Sequence, residues 1–76
     1  MMDKKIIEAK LKAFGKRMRE IRKQKKMTLV DLEGEVGITN GTLSKIENGL
    51  QNIEFITIVR IAEGLGVDAK ELFKDV

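Results

Sequence analysis

TLVDLEGEVGITNGTLSKIE, residues 28–47, carries two short amphipathic helix patterns on either side of one tight turn. Thr28 with Asp31 three positions on has the form of a helix N-cap and its reciprocal acid. Leu29, Leu32 and Val36 follow at 3 and 4 spacing, the signature of a single buried helix face. Gly37 stands where that helix must stop, because only glycine enters the left-handed region without a Cβ penalty. Thr39 is the next N-cap. Leu43 and Ile46 then make a second apolar stripe, closed by Asn48-Gly49. Two helices joined by a short glycine-containing turn constitute a helix-turn-helix unit.

The flanking sequence extends the helical pattern in both directions. Ile7, Leu11, Phe14, Met18 and Ile21 recur at spacings of 4, 3, 4 and 3, which predicts one amphipathic helix from about Asp3 to Lys25. Gly15 weakens such a helix by about 1 kcal/mol relative to alanine. It therefore marks an expected division between an arm or helix extension, residues 1–13, and a body, residues 14–76. Downstream, Asn52 is placed to cap a fourth helix carrying Phe55, Ile56, Ile58, Val59, Ile61, Ala62 and Leu65, with Gly64 and Gly66 ending it. Its apolar residues go round most of the circumference, as in a helix that is central or part of an interface. Asp68 and Glu71 read as another capping box, opening a last short helix with Leu72 and Phe73 inward. The expectation is an all-α domain of five helices with an extended first helix.

Composition removes most other functions. The chain has 76 residues and lacks cysteine, histidine, tyrosine and tryptophan. Disulfides, His/Cys metal sites and Ser-His or Cys-His nucleophiles are absent with them. No catalytic, cofactor or metal role is expected, and no small-molecule ligand domain. No apolar run approaches the roughly 18 residues of a membrane span, and the first residues are too charged for a secretory signal. A cytoplasmic, nucleoid-associated location is expected. Charge is unevenly distributed. Residues 1–26 hold eleven Lys/Arg against three acids, a net of +8, whereas residues 27–76 carry −5. Such asymmetry marks either a polyanion-binding side or a solvated basic helix face balanced by acids elsewhere.

On a helical wheel, residues 40–48 turn Leu43 and Ile46 inward and leave Gly41, Ser44, Lys45 and Asn48 outward, with Asn40 and Thr42 at the edges. The second helix of such a unit enters the DNA major groove. Asn40 suits a bidentate pair with adenine. Lys45 suits guanine O6/N7 or a phosphate, and Thr42 a thymine methyl. Gly41 contributes backbone and close approach. Thr28 and Thr39 head helices whose amides can hold phosphates, though plain capping accounts for both residues equally well.

FGKRMREIRKQKKMTLVDLEGEVGITNGTLSKIENG together with IVRIAEGLGVDAKELF resembles the Cro/cI-type (Xre-family) helix-turn-helix regulators. The resemblance covers about Phe14 to Phe73 and implies a five-helix, lambda-repressor-like domain that binds double-stranded operator DNA as a homodimer. It places recognition contacts on Asn40, Gly41, Ser44 and Lys45 and a phosphate contact on Asn48. It also implies an ion pair between Arg22 and Glu47, read as structural. Leu29 stands where the family commonly has glutamine. Glu33, followed by Gly34, stands where it prefers a small alanine, so the acid must widen the helix crossing or reach outward. The loop LQNIEF lacks the usual basic residues and leaves Gln51 and Asn52 for backbone contact. Fewer phosphate contacts and a shallow salt dependence are expected. The long first helix and the Gln51-Asn52-Ile53 segment look like restriction–modification controller proteins. The competing reading is a protein-interaction module of antitoxin or accessory type, favoured by Leu29, Glu33 and Gly41.

Overall fold

A computed structural model describes residues 3–76. It contains α1 (Lys4–Gln24), α2 (Leu29–Val36), α3 (Asn40–Glu47), α4 (Phe55–Leu65) and a closing 3₁₀ helix (Ala69–Phe73). Met1 and Met2 of the expected arm lie outside the described residues.

Helix α1 begins at Asp3, whose carboxylate accepts from the Lys5 amide, and runs unbroken past Gly15. The expected division at Gly15 is thus not a break in the helix. Gly15 is where α1 crosses the end of α3, and a Cβ there would collide with the carbonyl oxygens of Ile46 and Glu47. The glycine is required by close approach, not by chain reversal. The expected apolar stripe is also shorter than its spacing suggested. Phe14, Met18 and Ile21 are buried, Leu11 is half-buried and Ile7 is exposed, because residues 4–10 extend beyond the cover of the other helices.

The central pair forms through its caps. Thr28 and Asp31 make a reciprocal capping box, and Gly37 ends α2 in the left-handed region at φ 72°. Thr39 opens α3 by accepting from the Thr42 amide. Helix α4 departs from expectation at both ends. Glu54, not Asn52, precedes its first turn without a side-chain cap, because the side-chain Oδ1 of Asn52 accepts from the neighbouring Ile53 amide instead. Gly64 lies inside the helix, against Val36 and Leu32 of α2, and Gly66 is the true terminator. The last segment is a 3₁₀ helix. Asp68 accepts from the Lys70 amide without a reciprocal bond from Glu71, whose carboxylate sits 3.7 Å from Arg17. Leu72 is buried in the core, whereas Phe73 is 46% exposed with its ring 5.4 Å from that of Phe14. The two were expected to point inward together, but the tighter helical period rotates Phe73 outward.

Every helix contributes to one core, in which Met18, Leu32, Leu43, Ile46, Ile61 and Leu72 are the largest fully enclosed side chains. Beside it lies one charged pair. Arg22 Nε donates to Glu47 Oε2 at 2.7 Å and Arg22 Nη2 to Glu47 Oε1 at 3.0 Å, a two-bond fork between the ends of α1 and α3. Arg22 Nη1 also donates to the Met27 carbonyl at 2.8 Å, anchoring the α1–α2 turn. Glu47 raises the guanidinium pKa above its ordinary value, so the arginine stays charged throughout the working range.

A buried fork of this kind is costly to break on one side only, because the surviving charge is left in a dry site. Glu47→Leu or Arg22→Met should each cost about 3–5 kcal/mol of stability. The double variant Arg22→Met/Glu47→Leu should cost much less than the two together. Urea denaturation of all four proteins checks this, and simple additivity would contradict the coupling.

Candidate nucleic-acid interface

The two capped helices present the outer side of α3 to solvent. Leu43 and Ile46 are buried, while Asn40, Gly41, Lys45 and Asn48 are exposed and Thr42 and Ser44 half-buried. Among the described residues the ion pairs are Arg17–Glu71 and Arg22–Glu47, so neither occupies the Lys45 ammonium. Asn48 Nδ2 donates to the Ser44 carbonyl at 2.9 Å, which finishes the helix and leaves the Asn48 carboxamide oxygen for another partner. Gln51 and Asn52, with Thr42, line a recess of about 140 Å³ beside α3. The α3 residues expected to face DNA thus reach solvent along that helix, and Thr42 meets Gln51 and Asn52 of the following loop at the recess.

Glu33 reshapes the start of this face. It does not simply point outward. Its Oε1 accepts from the Asn40 backbone amide at 3.1 Å and from Asn40 Nδ2 at 2.8 Å. A carboxylate thus sits where the amides of α3 had been expected to meet a phosphate, and its charge complements the positive helix end. The Thr42 amide is likewise taken, by Thr39 Oγ1 at 3.3 Å, while the Thr39 hydroxyl donates to Thr42 Oγ1 at 3.1 Å. At α2 the Thr28 amide donates to Asp31 Oδ2 at 2.9 Å and the Asp31 amide donates to Thr28 Oγ1 at 3.0 Å. Thr28 and Thr39 accordingly do capping work whatever else they touch.

Other residues that position the motif were not singled out from the sequence. Arg60 of α4 donates through Nη2 to the Val36 carbonyl at 2.5 Å, satisfying the end of α2. Arg17 donates through Nε to the Glu71 carbonyl at 2.8 Å, and Lys10 Nζ to the Val76 carbonyl at 2.7 Å. These links span 24 to 66 residues, so no local pattern announces them. They also divide the basic first helix. Arg17 and Arg22 serve internal contacts, while Lys16, Arg19, Lys23, Lys25 and Lys26 remain exposed. Among the described residues, no helix is long and apolar enough to cross a membrane.

A helix-turn-helix family model matches residues 18–72. The control protein C.MunI of a Mycoplasma species is 30% identical over 64 residues, covering 83% of this chain and 86% of that protein. An uncharacterized HTH-type transcriptional regulator of Sinorhizobium fredii, y4dJ, is 33% identical over 61 residues, covering 80% of this chain and 79% of its own. The crystal structure of the restriction-modification controller protein C.AhdI from Aeromonas hydrophila superposes with a TM-score of 0.83 at 31% identity, covering 86% of this chain and 98% of that one.

The α2 cap makes a pH-dependent prediction. The Thr28 amide and then its hydroxyl hold the Asp31 carboxyl below its usual range. A depressed carboxyl stabilises the fold above its unfolded pKa and loses that contribution as pH falls through its lower folded value. Asp31→Ala should therefore be less stable than the parent at neutral pH, with the gap narrowing in acid. Chemical denaturation of both proteins across pH checks it, and a gap independent of pH would contradict the assignment.

Proposed function

The chain belongs to the helix-turn-helix family and is a DNA-binding transcriptional regulator, and we propose that it grips a palindromic operator as a homodimer through the outer face of α3. The observation that carries this reading is the outward display of Gly41, Ser44, Lys45 and Asn48, with a lysine that makes no ion pair among the described residues and the apolar half of the same helix sealed in the core. Lys45 is the base- or phosphate-contacting cation, Asn40 the amide that reads a base, Thr42 the methyl contact and Asn48 a backbone contact. Thr28, Thr39, Gln51 and Asn52 take the flanking phosphates. Residues 14–76 form the DNA-binding body and residues 4–13 its helical extension. The similarity to C.MunI and C.AhdI supports a role of the controller kind in the cytoplasm.

Two copies are required on physical grounds. One eight-residue helix reaches too few base pairs for operator-level discrimination, and a two-fold dimer doubles the site. The apolar circumference of α4 suits a helix that is central or part of an interface, and beyond its end Leu72 is core and Val67 half-buried. The better anchor lies at the start of α4, where Phe55 is 73% and Ile56 63% exposed. A pair of large adjacent apolar side chains left in water suits a self-complementary contact.

Selection from a random duplex pool should return a palindrome with half-sites about 10 base pairs apart. Lys45→Ala should weaken binding to that sequence by about 1–3 kcal/mol. The absence of any duplex binding at low salt would instead support the interaction-module reading. Separately, Phe55→Glu should convert the dimer to monomer in sedimentation equilibrium and reduce operator affinity while leaving the helical circular dichroism intact. A Phe55→Glu protein that stays dimeric would remove α4 from the interface.

A further inference from the structure

We propose that Glu33 is the positioning residue for base reading by Asn40: its carboxylate fixes which end of the Asn40 amide faces the DNA. This rests on the proposed function, in which Asn40 reads a base. The two residues are brought together by the turn at Gly37, which sets the last turn of α2 beside the first turn of α3. One oxygen, Glu33 Oε1, then takes both the Asn40 backbone amide and Asn40 Nδ2.

The chemistry of that contact is directional. An ionised carboxylate only accepts hydrogen bonds, whereas a carboxamide has one donating and one accepting end. Flipping Asn40 by half a turn would set its oxygen against the carboxylate oxygen, an arrangement with no proton between the two. Glu33 therefore selects one of the two amide orientations. One N–H of Asn40 is spent on Glu33. The other N–H and the carboxamide oxygen remain, and these form the donor–acceptor pair that matches adenine N7 and N6. When DNA covers the site and water leaves, the charge-assisted bond holding this orientation strengthens.

A second feature points the same way. Gly34 and Gly41 each follow one member of the pair, and a Cβ at either position would meet nothing within 4 Å. Both lie inside helices, where glycine costs about 1 kcal/mol against alanine, and neither is demanded by packing within this chain. Their smallness leaves the surface around Glu33 and Asn40 open to close approach by a partner. The same carboxylate discourages phosphate at the head of α3, so it favours base contact over backbone contact at that point.

The test is selection from a random duplex pool with the full chain and three variants, Asn40→Ala, Glu33→Ala and Glu33→Gln, with helical content and thermal melting recorded for each. Glutamine lacks the charge, and the Asn40 backbone amide, which can only donate, holds the glutamine oxygen rather than its NH2 against Asn40. Asn40→Ala should relax one base pair per half-site, lowering the preference there about tenfold. Glu33→Ala should relax the same base pair, and Glu33→Gln should retain its preference. Loss of charge should tighten binding of both Glu33 variants to random duplex, so raw affinity is not the readout. If Asn40→Ala changes no position, the premise fails and the proposal with it. If Asn40→Ala relaxes a position that Glu33→Ala leaves intact, the reading of Asn40 stands and the positioning role of Glu33 is overturned. Relaxation in Glu33→Gln as well would assign the effect to charge and overturn it equally.

Discussion

The fold turns on the tie between the end of α1 and the end of α3. Arg22 and Glu47 clamp the two helix ends with a pair of charge-assisted bonds, and Gly15 lets the α1 backbone lie against the carbonyls of Ile46 and Glu47. Helix α3, of eight residues, has little stability of its own. Its orientation is borrowed from a helix of 21 residues that is roughly 31 Å long. The same arginine reaches the Met27 carbonyl and so sets where α2 starts. One side chain thereby ties α1 to both helices of the motif.

That division of labour decides how much the sequence reveals. The caps at Thr28 and Thr39, the stop at Gly37 and the inward stripe of Leu32, Val36, Leu43 and Ile46 are local. Each depends on neighbours three or four residues away, and each is legible in the chain. The terminal segments read less well because their rules compete. Asn52 has a caplike identity but turns to its immediate neighbour. Glu71 has a reciprocal partner at the right spacing but lies toward Arg17 across 54 residues. Gly15 and Gly64 look like breaks in a one-dimensional reading and prove to be places where two helices touch. A glycine's message depends on what packs against it, and that lies elsewhere in the chain.

The face of α3 shows the same limit. Its residue content follows from a helical wheel, whereas its electrostatics do not. Glu33 belongs by sequence to α2, and its departure from the family's small residue suggested a steric problem. In three dimensions it is an electrostatic solution, since its carboxylate meets two donors at the head of α3 that would otherwise be open to solvent or an anion.

A carboxylate in a surface that must approach a polyanion nevertheless carries a cost. Placed against phosphates it repels them and weakens binding to any duplex. Specificity, however, is a difference between affinities, and an element that penalises non-cognate complexes can widen that difference even as it lowers the total. The loop after α3 supplies no lysine or arginine between Leu50 and Glu54, so that segment adds no cationic contact of the kind that raises non-specific binding. In the proposed complex discrimination rests on a few oriented groups of α3, and an amide held at one end by Glu33 is better suited to that task than one free to turn.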